Sequence, residues 1–285
     1  MRQTDDLSTL PPLPPAIRGR LLAHYEWVVD WLTERFIDAP LSAEYYPFGL
    51  GGEPMHTGAW RGPLPPAVAV RAVPVPDGTD VYPACHPDTL IWLISRGAVG
   101  VGSWTPTRTD ANAVRYARFV LRQNPGADDQ TLRAALKRLR AVLQTFGLDG
   151  IPLLEGRSAA LFVPFADAPG YDEVREFLRG IVVRAAATAP NVLVPERKPH
   201  EAVAVGRIDV TVRSNAPGRF SHLPYTLLGP KLSMVTPVTW DEIDRVKIGS
   251  DEASIAVRLQ KGDLFGQQAA ALAKQRFTGL LAAAR

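Results

Sequence analysis

The chain has 285 residues, 46% hydrophobic and 21% charged, an ordinary globular composition with enough apolar residues for one large core or two small ones. Lys and Arg outnumber Asp and Glu by 32 to 29, a net charge of +3, which permits contact with a phosphate backbone without demanding it. A single cysteine, Cys85, excludes an internal disulfide, no apolar run reaches the ~18 residues of a membrane span, and Met1 to Leu10 lacks a signal-peptide pattern, so a cytoplasmic location is expected.

Residues 1–15 end in Pro11-Pro12-Leu13-Pro14-Pro15, a stiff extended lead-in. Ile17, Leu21, Tyr25, Val28, Leu32 and Phe36 recur at helical spacing and predict a helix from about Ala16 to Phe36. Ala39 to Trp60 reads as strand and turn. Gly51-Gly52 within it is a hairpin turn and not a phosphate cradle, because no helix follows. Pro63 to Pro76 reads as a strand with turns. Pro87-Asp88 opens a helix that Gly97 ends, burying Leu90, Ile91, Leu93 and Ile94, and Val99 to Trp104 reads as a short strand.

Val114 to Leu121 is the next strand, and it runs into a sharp turn at Pro125-Gly126. Asp128-Asp129 caps a helix to about Phe146, with Leu132, Leu136, Leu139, Leu143 and Phe146 facing inward. Arg133, Lys137 and Arg140 lie together on its other side, as a nucleic-acid contact or as a solvated helix face. Leu161 to Phe165 reads as a strand and Tyr171 to Ala187 as a helix. Ala202 to Val212 reads as a strand pair, with Ile208, Val210 and Val212 on one face and Asp209, Thr211 and Arg213 on the other. Thr239-Trp240-Asp241-Glu242 reads as a capped helix start, and the last helix as Leu264 to Ala283. Strands and helices alternate without a βαβ rhythm, which gives an α/β chain of α+β or mixed-sheet type.

Spacing alone assigns no chemistry. His24, His56, His86, His200 and His222 lack the spacing of a zinc site, and Gly156 to Ala160 lacks the final glycine of a nucleophile elbow. No dinucleotide or P-loop fingerprint is present, so no metal and no cofactor is expected.

A resemblance enters from short stretches in fixed order between Leu21 and Gln275. They are Pro40-Leu41 with Tyr46-Pro47-Phe48-Gly49, Asp88 to Leu93 with Gly97-Ala98, Pro224-Tyr225-Thr226-Leu227, Thr236-Pro237-Val238-Thr239-Trp240-Asp241-Glu242-Ile243, and Lys261-Gly262-Asp263-Leu264-Phe265. Together they resemble the polymerase domain of bacterial ligase D, a member of the archaeo-eukaryotic primase superfamily that acts in non-homologous end joining. The resemblance implies a primase-polymerase fold over residues 16–285 as one domain, with a central mixed or antiparallel sheet flanked by helices.

It also implies where the chemistry would lie, and there the match fails. The family's F-D-L-D-P-G is here Leu121-Arg122-Gln123-Asn124-Pro125-Gly126, so the turn remains and both metal-holding aspartates are gone. The family's nucleotide-holding histidine falls on Ala160, its third aspartate on Thr211, and the arginine after its P-Y-S-L on Leu228. Two-metal phosphoryl transfer needs carboxylate oxygens around hard cations. The expectation is therefore a non-catalytic relative that binds DNA or a repair partner. Two alternatives stand beside it. One is a cleft of Arg122, Asn124, Arg157, Ser158, Asp209, Thr211 and Arg213 reused for a small polar or anionic ligand. The other is a manganese-dependent polymerase with displaced ligands. Alternation places Asp209 and Thr211 on one face, and an Arg122–Asp209 ion pair in the former metal position is expected.

Overall fold

The computed structural model describes residues 13–75, 78–196, 201–247 and 251–280. The lead-in up to residue 12, His200 and the expected end of the last helix past residue 280 lie outside the described residues. In chain order the helices are α1 (Pro15–Phe36), α2 (Pro87–Ser95), α3 (Asp129–Gln144), α4 (Tyr171–Thr188), α5 (Glu252–Leu259) and α6 (Leu264–Ala271). The strands are β1 (Ser42–Tyr45), β2 (Met55–His56), β3 (Val70–Val75), β4 (Gly78–Pro83), β5 (Gly100–Ser103), β6 (Tyr116–Gln123) and β7 (Ile151–Glu155). They continue with β8 (Ser158–Pro164), β9 (Leu193–Pro195), β10 (Ile208–Thr211), β11 (Ser221–His222), β12 (Leu227–Leu228), β13 (Ser233–Met234) and β14 (Thr236–Pro237). Two compact units result: unit 1 is Met1–Ala111 with Gly218–Val235, and unit 2 is Asn112–Pro217 with Thr236–Arg285.

In unit 1, α1 begins on Pro15, whose missing N–H is one that a first helical turn leaves unused. Its apolar stripe is buried as the spacing predicts, from Leu21 to Phe36. Two side chains next to each other pin it. The Tyr25 hydroxyl reaches Val99 O at 2.9 Å and Thr226 Oγ1 at 2.6 Å, and His24 Nε2 meets Tyr225 O at 2.7 Å. The sheet of this unit runs β11-β5-β1-β2, antiparallel throughout. Gly100 and Gly102 of β5 are required by close approach: a Cβ there would lie 2.7 Å from Leu227 O and 2.8 Å from Ser221 O. β3 and β4 form a separate two-stranded ribbon, and β12 pairs with β13.

Unit 2 is built on a six-stranded sheet in the order β14-β7-β8-β6-β10-β9. The β10–β9 pair is parallel and the others antiparallel, the mixed sheet that the sequence implies. One face carries Ala117, Phe119, Leu121, Ala159, Leu161, Ile208 and Val210, all 0–2% exposed. α3 and α4 cover it, with Leu132, Leu136, Leu139 and Leu143 of α3 facing in. Asp128 caps α3 by accepting from Thr131 N–H at 2.7 Å. The other face is closed at one end by Phe265 of α6, which packs on Tyr116 and Phe162 with ring centroids 5.5 and 5.6 Å apart.

Several local expectations are corrected. Ala202 to Val212 is strand only over β10. Before it Gly206 turns with φ +73 and donates its N–H to Pro125 O, which joins the two segments at their bends. Thr239 to Glu242 opens turns and no α-helix, because its side chains are drawn onto α3 and the loop before β7. α6 stops at Ala271, since Gln275 bonds Asp149 O and Pro164 O and Asp167 takes the N–H groups of Phe277 and Thr278. β4, β7, β9, β11, β12, β13 and α5 had no expectation at all.

Candidate functional site

β6 and β10 pair antiparallel, with Asp209 and Thr211 on one face as alternation implies. Arg122 stands opposite Asp209 and Val120 opposite Thr211, while on the other side Arg122 stands opposite Ser158 and Val120 opposite Ala160. Opposed residues of an antiparallel pair point to one side of the sheet. Arg122, Ser158, Ala160, Asp209 and Thr211 therefore share a face, the one opposite α3 and α4.

The side chains on that face are committed differently from the expectation. Among the described residues Arg122 makes no ion pair with Asp209. Asn124 donates instead, from Nδ2 to Asp209 Oδ1 at 2.9 Å and to Arg207 O at 3.0 Å. A short amide fixed at the turn reaches the carboxylate without ordering a long side chain, whereas the Arg122 guanidinium extends into solvent. Thr211 donates its hydroxyl to Glu196, whose carboxylate also pairs with Arg213 at 2.9 Å. Ser158 bonds Glu155 O at 2.9 Å, Ala160 is buried, and Arg157 is exposed at the β7–β8 turn.

A second cation lies on the same face and was not anticipated. Arg118 of β6 is 0% exposed, with its guanidinium over the Phe162 ring at 5.1 Å. Burial lowers it to about 10, partly offset by the charges of Tyr171 and Glu155, so it stays a cation at neutral pH. Asn215 was missed as well. It is 1% exposed and holds the backbone of Arg118, accepting from its N–H at 2.8 Å and donating to its carbonyl at 2.7 Å. Nothing in the spacing marks either residue, since an Arg in an apolar run and an Asn after a strand both read as surface residues.

These residues do not fit a pair of divalent ions. Arg122 puts positive charge where hard cations need anionic oxygen, and Arg118 adds a buried cation four residues back along β6. Of the three carboxylates on this face, Asp209 and Glu196 are engaged by Asn124, Thr211 and Arg213, and Glu155, opposite Ser158, accepts from the Ser158 hydroxyl at 3.4 Å and acts on Arg118. Among the described residues no group of three His, Cys, Asp or Glu side chains is placed to hold a metal ion.

The basic stripe of α3 is a docking face for the Thr239–Val246 segment. Arg133 donates to Val246 O at 2.5 Å, and Lys137 pairs with Asp244 at 2.6 Å. Arg140 makes a bidentate pair with Asp149 and lies over the Trp240 ring at 4.5 Å. Trp240 Nε1 in turn donates to Gly150 O at 2.8 Å. Its three charges therefore serve as internal fasteners.

Comparison with known proteins follows the same lines. A family described as LigD, primase-polymerase domain, matches residues 18–265. No curated protein matches the chain. Among solved structures, the polymerase domain from Mycobacterium tuberculosis ligase D in complex with DNA aligns with a TM-score of 0.80 at 18% sequence identity, over 95% of this chain and 98% of that one. At that identity the likeness is one of fold. No helix among the described residues is long and apolar enough to cross a membrane.

Proposed function

The chain belongs to the LigD primase-polymerase domain family, and from that premise we propose that it is a DNA-binding member that does not catalyse metal-dependent nucleotide addition. Family membership supports a role related to DNA repair. The observation that carries the finer reading is Arg122: a solvent-facing guanidinium, in register between Ser158 and Asp209, where the resemblance puts a metal-holding aspartate. Two unit charges of like sign at about 4 Å repel by roughly 4 kcal/mol at an effective dielectric of 20. A divalent ion brought beside Arg122 meets that repulsion twice over, and Asp209 and Glu196 are already engaged by Asn124, Thr211 and Arg213. A phosphate oxygen meets the reverse sign, and a planar guanidinium presents paired N–H donors to it.

The solved ligase D polymerase domain, itself in complex with DNA, supports DNA as the partner here, with Arg122 as a phosphate contact. Fluorescence anisotropy on labelled duplex ends, gaps and single strands at low salt tests this. Arg122→Ala is expected to weaken binding about three- to tenfold and to reduce the slope of log K against log salt by about one, as for one lost phosphate contact. Wild-type chain that binds none of these DNAs at low salt overturns the reading.

A further inference from the structure

Unit 1 holds a cluster that the proposed function does not use. Its sheet ends in two edge strands, β2 and β11, each two residues long. Each edge carries one histidine, and both point Nε2 at the same oxygen of Glu44 on β1. His56 lies 3.9 Å and His222 3.6 Å from Glu44 Oε2. Tyr46 donates its hydroxyl to the other oxygen, Oε1, at 2.7 Å. The carboxylate side chain is 7% exposed, and the imidazoles are 30% and 33% exposed. Gly100 stands opposite Glu44 and Gly102 opposite His222, so β5 puts no side chain between them.

Other groups also act on the cluster. Tyr25 of α1 and Tyr46 of β1 are neutral hydroxyls, and the Gly229 backbone meets Tyr46 from the chain after β12. Glu53, in the loop between β1 and β2, acts on Tyr46. One carboxylate thus serves two imidazoles. The cluster is not among any groups placed to hold a metal ion in the described residues, so its variable is the number of protons it carries.

We propose that Glu44, His56 and His222 form an acid-release clasp, which holds both edge strands of the unit 1 sheet while it carries at most one proton and frees an edge when it takes a second. One proton makes an imidazolium that the Glu44 carboxylate neutralises. A second places two cations around a single anion, and the imidazoles then repel each other. The separate groups act in the same sense. Burial lowers His56, the Glu44 charge raises it and His222 lowers it again, for a net value below 6.5. Burial alone would raise Glu44, but the nearby His222 imidazole, the Tyr46 hydrogen bond and the His56 charge bring it below 4.5. A histidine with a depressed folded value is protonated first in the unfolded chain. Its contribution is complete above pH 6.5 and is lost as pH falls through the folded value. Glu44 follows with the same sign below pH 4.5.

Amide hydrogen exchange on the full chain tests the clasp, because each edge is flanked by a reporter bond. Thr57 N–H donates to Ala43 O beside β2, Leu223 N–H donates to Val101 O beside β11, and Val99 N–H donates to Glu44 O inside the sheet. Between pH 7 and pH 5, after correction for intrinsic chemistry, protection at Thr57 or Leu223 is expected to fall about tenfold while Val99 holds. His56→Gln and His222→Gln each leave one imidazole per carboxylate and are expected to abolish the fall. Glu44→Gln keeps the Tyr46 bond but compensates neither imidazolium, and is expected to move the opening to higher pH. The proposal is overturned by an acid fall that persists in both histidine variants, by no fall in the wild type, or by opening of Glu44→Gln at the same or lower pH.

Discussion

Replacing Arg258 with alanine is expected to destabilise unit 2 by about 3 kcal/mol, the loss of a buried guanidinium that bonds both Pro237 O and Glu242. The Arg258 side chain is 6% exposed. It donates from Nε to Pro237 O at 2.9 Å, which ties α5 to β14, and from Nη1 to Glu242 Oε2 at 3.0 Å. Glu242 also accepts from Thr239 N–H at 2.8 Å and pairs with Lys261 at 3.2 Å. Burial by itself would raise the Glu242 carboxyl, but Arg258, the Thr239 N–H and Lys261 hold it down at about 2.

A depressed carboxylate contributes stability above its unfolded value of 4.5 that disappears as pH falls toward 2. The gap between wild type and Arg258→Ala is therefore expected to be full at pH 7 and to narrow between pH 4.5 and 2, leaving the part that rests on Pro237 O. Denaturant unfolding followed by tryptophan fluorescence and circular dichroism reads it. The double variant Arg258→Met with Glu242→Leu removes both charges together and is expected to lose much less than Arg258→Ala. A loss under about 1 kcal/mol in Arg258→Ala would show that the pair is fastened elsewhere.

Asn215→Leu is expected to cost about 3 kcal/mol or more, since each buried partner left without its hydrogen bond costs about 1–3 kcal/mol. The β6–β10 ladder ends where Thr211 meets Val120, and the chain then turns away from the sheet. The Asn215 amide takes over from the missing strand: its Oδ1 accepts from Arg118 N–H, and its Nδ2 donates to Arg118 O and Val212 O. An amide reproduces a peptide group at that point, and the leucine side chain does not. Asn215→Asp is expected to fare no better at neutral pH, because a carboxylate oxygen then faces two carbonyls. Thermal unfolding read by calorimetry measures both variants, and a change within about 0.5 kcal/mol in either would contradict the assignment.

The parts of the fold legible in the sequence are those where one physical requirement dominates. α1 and α3 each carry an apolar stripe over four or more turns, and tertiary contacts only reinforce it. The shared direction of Asp209 and Thr211 followed from alternation, because a strand has no other way to place them, whereas their register against Arg122 is set by the pairing of β10 with β6. The two-residue strands and β9 are too short to show a period. The segment after Thr239 has a helix-start signature, yet it is spread over α3 by Trp240, Asp244 and the Val246 carbonyl.

The Arg122–Asp209 pair was misjudged for a related reason. Sequence shows which charges share a face, but not that a neutral neighbour, Asn124, reaches the carboxylate first. The surviving family motifs have structural roles here. Thr89 accepts from Ala69 N–H, Thr226 from Val101 N–H, Glu242 anchors Arg258, and Asp263 caps α6. The stretches that differ from the family are the ones to which the resemblance assigns metal and nucleotide.

Extension of a primed DNA template with magnesium and with manganese, measured alongside DNA binding by the same preparation, tests the central claim most directly. The expected result is DNA bound and no primer extended with either ion. Manganese-dependent extension by the wild-type chain that is lost in Asp209→Asn would contradict it.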